Sequence, residues 1–261
     1  MRFSPLYSGS SGNCSIVTIG KTNILVDAGM TGKAILSALE TVGVDPCKLN
    51  AIVVTHEHSD HIKGVGVFSR KYDIPVYANE GTWKAMSPLI GDVSMHNIRT
   101  FVNGQNFYIG DADITPFNIS HDAADPVGYS FCGGGARIVY MTDTGCVNEA
   151  LRTIASGADL LFLEANHDVD MLKRGPYPYP LKKRILSEKG HLSNVAAGEF
   201  LKKLFPTGVR RVILAHLSRE NNTEQIAYST VRQALVDDGI PEKEFFLTVA
   251  HRERVTGIFD L

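Results

Sequence analysis

Three histidines and two acids crowd the six positions from His56 to His61, in the stretch VVTHEHSDHIKG, although the 261-residue chain holds only nine histidines. The stretch follows directly on an apolar run. A core does not want such a cluster, and a solvated face does not need it so tightly spaced. Neutral imidazole binds divalent transition metals, and carboxylate extends the range toward manganese. In this H-x-H-x-D-H pattern, His56 and His58 alternate around a turn and can converge on one ion, while Asp60 and His61 can reach a second. The bland alternative is a surface histidine cluster at a helix start. A metal site needs further donors, so the distant single residues matter. His121 in NISHDAADPVGY, taken alone, reads as a capping or surface histidine. Asp143 in IVYMTDTG reads as an N-cap, and His216 in VILAHLSREN as an awkward near-core histidine. Together they supply what two ions need.

These residues have to be positioned by regular elements. CSIVTIG and NILVDAG read as paired strands joined at Gly20-Lys21-Thr22. GKAILSALETVGV spaces Ile35, Leu36, Leu39 and Val42 at helical intervals, with Gly43 as a stop. AIVVT is a short apolar strand of the kind buried on both faces, and a helix and the strand IPVYAN follow. NFYIG, ADITPFNIS, VGYSFC and ARIVYMTD read as strands, the last two joined through Gly133-Gly134-Gly135. ADLLFLEAN and RVILAHLS are further buried-type strands, whereas HLSNVAAGEFLKKLF and NTEQIAYSTVRQAL read as helices, the second opening at Asn222 or Thr223. Asp27, His56, Asp143, Glu164 and His216 all fall at carboxyl ends of apolar strands, the edge where layered α/β proteins build chemistry. One proline-rich, basic segment, DMLKRGPYPYPLKKRILSEKGH, reads as a loop or arm at about 170–189 of an otherwise single domain spanning 1–261.

Composition sets the outer limits. With 44% hydrophobic and 21% charged residues the chain can bury a full core, and a net charge of -2 excludes a globally basic binder. No run approaches the length of a membrane span, the N-terminal stretch has no apolar signal segment, and four scattered cysteines form no CxxC pair. A cytoplasmic protein with no membrane partner is the expectation.

VDAG, THEHSDHIKG, the lone SHD, MTDTG and LAHLS stand in the order of the five motifs of the metallo-β-lactamase superfamily, which the chain resembles over nearly its whole length. The resemblance implies an α/β fold, an αββα sandwich with metals at the strand edge. It implies His56, His58 and His121 as ligands of one ion, Asp60, His61 and His216 as ligands of the other, Asp143 as the bridge, and Asp27 as the buried acid that orients the metal loop. Within the superfamily, His58 stands where the flavo-diiron oxygen reductases resemble H-x-E, and Asp143 stands where many true lactamases have Cys. LEAN at Glu164 and KGHLSN at His191 resemble the paired Glu and His loops of tRNA 3′-end nucleases and related phosphodiesterases. SGSSGNC, LEANHD and LAHLSRENN resemble the YycJ/WalJ group, which is similar to a DNA 5′–3′ exonuclease linked with mismatch repair. A long Gly-Pro-rich exosite arm and an inserted domain between Asp143 and His216 are both lacking, which speaks against tRNA maturation and structured mRNA cleavage.

The expectation is therefore a nuclease with two divalent ions, Zn or Mn, acting on nucleic acid, most readily single-stranded or free-ended DNA. Asp60 would orient or deprotonate the attacking water as well as ligate, and His191, supported by Glu164, would protonate the leaving oxygen. Lys173, Arg174, Lys182, Lys183, Arg184 and Lys189 stand against the single acid Glu188, and Tyr177 and Tyr179 alternate with Pro176, Pro178 and Pro180 on what reads as a stiff extended backbone. Cationic stems beside aromatic faces suit single-strand binding, so Tyr177, Tyr179, Lys182, Lys183 and Arg184 are expected at the substrate; a solvated loop with tyrosines packed on the sheet is the plainer reading. His167 is expected in the same cleft, and Ser11 and Asn13 in GSSGN either offer amides to a phosphate or form a simple tight turn. Other readings are a ribonuclease or small-molecule phosphodiesterase of the same fold, a thioester or lactam hydrolase, and a non-catalytic regulatory binding protein. The last is opposed by all seven ligand positions being filled.

Overall fold

The computed structural model describes all 261 residues, Met1–Leu261. Its contacts gather into two compact units. One comprises 1–118, 123–136 and 251–261; the other comprises 119–122 and 137–250.

The first unit opens with strands β1 (Arg2–Tyr7), β2 (Cys14–Ile19) and β3 (Thr22–Val26), followed by helix α1 (Gly32–Thr41) and strand β4 (Ala51–Val53). Helices α2 (Ser59–Ile62) and α3 (Val65–Tyr72), strand β5 (Val76–Asn79), helix α4 (Glu80–Ile90) and strand β6 (Ile98–Phe101) come next. β1, β2 and β3 pair antiparallel, whereas β3, β4, β5 and β6 run parallel. The switch has a simple cause. A two-residue turn at Gly20-Lys21 returns the chain beside itself, but β3 to β4 needs a crossover, which α1 provides. Leu25, Ile52 and Val76 bury one face of these strands against Ile35, Leu39 and Phe68 of the helices. Strands β7 (Phe107–Ile109), β8 (Ala112–Asn118) and β9 (Val127–Gly133) form an antiparallel meander.

The second unit is built on four parallel strands: β10 (Ala136–Met141), β11 (Leu160–Glu164), β12 (Arg211–Ala215) and β13 (Phe246–Val249). Helix α5 (Glu149–Ala155) connects the first two strands; α6 (Val169–Arg174), α7 (Tyr179–Ile185) and α8 (Asn194–Leu204) precede β12, and α9 (Glu224–Asp237) precedes β13. Every residue of β11 is buried, as its continuous apolar run requires. Ser193 caps α8 and Thr223 caps α9 by accepting from amides three residues on. The cap of α9 is thus Thr223, one of the two positions the sequence left open, and α8 starts beyond His191, which lies outside the helix.

The segment expected to be extended is corrected by the structure. Residues 169–185 contain α6 and α7 rather than a stiff proline-rich strand, so Tyr179 is helical. Pro178 sits at the N-cap of α7 and Pro180 in its first turn, where a missing N–H costs nothing, while Asp168 caps α6 by accepting from the Met171 amide at 2.8 Å. No helix is long and apolar enough to cross a membrane.

Candidate functional site

In the first unit the register Val26↔Val53 sets the ends of β3 and β4 side by side, so Asp27 meets the chain leaving β4. The Asp27 amide donates to the Val53 carbonyl at 2.9 Å. Its carboxylate accepts from the Thr55 amide at 2.8 Å, from the Thr55 hydroxyl at 2.9 Å and from His61 Nδ1 at 2.7 Å. Burial pushes the Asp27 carboxyl up, against the opposing pull of His61 and the Thr55 hydrogen bonds. With Nδ1 engaged by a carboxylate, His61 is held in the tautomer that keeps the lone pair on Nε2, where it could serve a metal ion.

The metal loop is stitched from both sides. The Ala28 amide donates to the His61 carbonyl at 2.8 Å, and the Gly64 amide to the Ala28 carbonyl at 2.6 Å. A β-carbon on Gly29 would lie 1.6 Å from the Asp60 carbonyl oxygen, so only glycine lets the two loops approach this closely. Asn13 reaches the same loop: its side-chain amide nitrogen lies 3.2 Å from Asp60 Oδ2 and 3.0 Å from His61 Nε2. His56 Nε2 and His58 Nδ1 are 3.1 Å apart. Two imidazole nitrogens brought this close, with the His56 and His61 rings at a centroid distance of 4.1 Å, make a donor set that a divalent cation fits.

In the second unit the parallel register aligns Leu163 with Leu214 and Glu164 with Ala215, which puts Glu164 and His216 on one strand edge, beside Asp143 at the end of β10. Four residues of the whole chain other than glycine have left-handed φ, and three of them are strand-end site residues: Asp27 (58°), Asp143 (57°) and His216 (55°). Such φ values cost on the order of 1 kcal/mol or more each, a strain typical of places where a side chain is re-aimed for function. His216 Nδ1 lies 2.9 Å from Asp143 Oδ1 and 2.9 Å from Glu164 Oε1; His191 Nδ1 lies 2.8 Å from the same Glu164 oxygen. His121 Nδ1 donates to the Gly190 carbonyl at 3.0 Å, and His121 Nε2 is 4.0 Å from Asp143 Oδ1.

Asp143, Glu164, His191 and His216 each bring one ligand atom within 4.8 Å of the others. Two fully buried carboxylates among imidazoles need cationic compensation, which a divalent ion would supply. Glu164 is the hub. Its Oε2 accepts from the Thr144 amide at 2.9 Å and the Leu192 amide at 3.0 Å. Burial and Asp143 push its carboxyl up, but His191 and the hydrogen bonds from His191 and His216 prevail and hold it lowered to about 2.

The sequence associated Glu164 with His191 alone. Its contact with His216, 2.9 Å against 2.8 Å to His191, was not legible, and neither was the grip of Asn13 on Asp60, 47 positions away. Thr55 and Asn166 were likewise missed; the Asn166 side chain donates to the His216 carbonyl at 2.8 Å and so braces that strained residue. Among the expected substrate contacts, Ser11 is exposed in a turn closed by the Gly12 amide on the Gly9 carbonyl, and Asn13 is buried. His167 is buried, with neither ring nitrogen hydrogen-bonded, and burial chiefly lowers it to about 4. Tyr177 is half-buried, Tyr179 is exposed, and Lys183 is exposed on α7. Lys182 Nζ donates to the Lys173 carbonyl at 2.8 Å, and Arg184 pairs with Asp122, beside His121.

The description "Beta-lactamase superfamily domain" fits residues 22–217 of the chain. Exodeoxyribonuclease YycJ of Bacillus anthracis is 41% identical over 94% of this chain and 93% of its own. Exodeoxyribonuclease WalJ of Streptococcus pneumoniae is 44% identical over 88% and 86% respectively. The metallo-β-lactamase fold protein YhfI from Bacillus subtilis superposes with a TM-score of 0.74 at 18% identity, covering 97% of this chain and 98% of that one, a likeness of fold. Fold and buried His/Asp donor clusters together define a metallo-hydrolase, an enzyme that works with divalent metal ions. The chain belongs to the metallo-β-lactamase superfamily, in the family of YycJ and WalJ, and its fold class is α/β of that type.

Proposed function

We propose that this protein is a metal-dependent phosphodiesterase acting on nucleic acid, a DNA 5′–3′ exonuclease that uses two Zn or Mn ions and serves mismatch repair in the cytoplasm. The observation that carries the reading is the 41% to 44% identity, across most of both chains, to proteins named exodeoxyribonucleases. The ligand assignment follows motif order: His56, His58 and His121 for one ion, Asp60, His61 and His216 for the other, Asp143 shared. Bound there, divalent ions would supply Lewis acidity toward a phosphodiester oxygen and lower the pKa of the attacking water. Asp60, with part of its side chain open to solvent, orients that water and takes its proton. His191 Nδ1 is occupied by Glu164, so Nε2 is the nitrogen left to protonate the leaving oxygen. Asp27 holds His61 in its ligating tautomer throughout.

The test is digestion of single-stranded DNA carrying different labels at its two ends, beside RNA and a cyclic phosphodiester, with manganese or zinc and after chelation. Release of label from the 5′ end, stopped by chelator and absent with the other two substrates, is the expected result. Cleavage of RNA or the cyclic compound with DNA left intact overturns it.

Lys182 and Lys183 on α7, with Tyr177 and Tyr179 as stacking surfaces, are the proposed contacts to the strand. The double variant K182A/K183A is expected to raise KM for single-stranded DNA by about tenfold and to flatten the plot of log affinity against log salt by about 1.4, two phosphates at ~0.7 each. An unchanged salt slope assigns the helix no part in DNA binding.

A further inference from the structure

We propose that Asn13 is a positioning residue for the Asp60–His61 end of the metal loop, a role that rests on the two-ion reading above. Asn13 is 1% exposed, in the turn between β1 and β2, and its carboxamide is committed at both ends. Oδ1 accepts from the Gly9 amide at 3.0 Å, which settles which end is oxygen and which is nitrogen. Nδ2 then faces the loop, 3.0 Å from His61 Nε2, 3.2 Å from Asp60 Oδ2 and 3.4 Å from the Asp60 carbonyl. The donor is therefore aimed at a carboxylate oxygen of Asp60, which keeps further lone pairs for an ion, whereas the one lone pair of His61 Nε2 is given up to the ion when it binds.

Only a carboxamide of this length meets both demands. An aspartate would present oxygen to Asp60 Oδ2, two like charges in a buried place. An alanine would remove this donor from Asp60 Oδ2. The backbone of Asn13 makes its own contacts, donating to the Asp60 carbonyl at 2.7 Å and accepting from the Gly29 amide at 2.8 Å. Those main-chain bonds do not involve the side chain, so in N13D, N13A and N13S the placement of Asp60's backbone and the aim of its carboxylate are separable. Asn13 thus acts on the ion through Asp60, in the way that supporting hydrogen bonds set ligand orientation and affinity.

Metal-stripped wild type, N13D and N13A are titrated with Co(II), followed by visible absorption and calorimetry, and the metal-free melting of each is recorded. Wild type takes up two equivalents. In both variants one equivalent binds as in wild type and the other weakens by about 10- to 100-fold with an altered absorption band. N13D, being isosteric, shows the loss without any change of volume, and N13S replaces N13A if the latter does not fold. Folded variants that bind both ions within twofold of wild type, with an unaltered spectrum, overturn the role of Asn13. A wild-type protein that takes up a single equivalent overturns the two-ion reading itself, and this outcome is visible without any variant.

Discussion

Asp143→Asn is expected to cut turnover by on the order of a thousandfold, equivalent to ~4 kcal/mol in the barrier, and to strip metal from the protein. The replacement is nearly isosteric, and asparagine tolerates left-handed φ almost as aspartate does, so the backbone at 57° is kept and the change is one of charge. Asp143 is 1% exposed, and its Oδ1 stands 2.9 Å from His216, 3.8 Å from His191 and 4.0 Å from His121. A neutral amide there would turn a donor toward imidazoles and remove the anion that the proposal shares between two ions. Turnover on labelled DNA and metal per chain by plasma mass spectrometry check it together. A variant that cleaves at the normal rate and retains two metals refutes the shared-ligand assignment.

Glu164→Ala should be the costliest single change for stability, by about 3–5 kcal/mol, because it takes the acceptor from two buried amides and from His191 Nδ1 and leaves His216 Nδ1 with Asp143 as its one carboxylate partner of the two. For a chain of this size that corresponds to a melting temperature lower by roughly 10 °C. Glu164→Gln separates function from folding. It keeps the shape and one acceptor oxygen, but it cannot accept from four donors, so His191 and His216 lose their common anchor. Turnover is expected to fall ~100-fold with a smaller loss of stability. Calorimetric melting and single-turnover cleavage measure the two effects, and a Glu164→Gln protein equal to wild type in both would show that the hub carries neither.

These two residues also show where the sequence stops speaking. The motif H-x-H-x-D-H and the placement of Asp27, Asp143, Glu164 and His216 at strand ends are local features, set by residue type and by the period of the surrounding run. The helices α1, α8 and α9 were legible for the same reason. β1 was not read as a strand: Pro5 interrupts its donor pattern, and its pairing to β2 shifts register between Pro5 and Tyr7. The α6–α7 segment is ambiguous in sequence because Pro-Tyr-Pro-Tyr-Pro suits an extended chain as well as a helix start. Only the capping by Asp168 and the position of Pro180 in a first turn decided between them.

By itself, then, the sequence determined which side chains could bind a metal, on which elements they lie and at which end, since period and strand termination are short-range properties. Tertiary structure alone decided that one carboxylate, Glu164, holds two histidines 27 and 52 positions away, that Asn13 grips Asp60, and that Asp27, Asp143 and His216 turn through left-handed φ to aim inward. Those relations depend on parallel register and on loops packed without room for a β-carbon, and neither quantity is written in the spacing of residues along one strand.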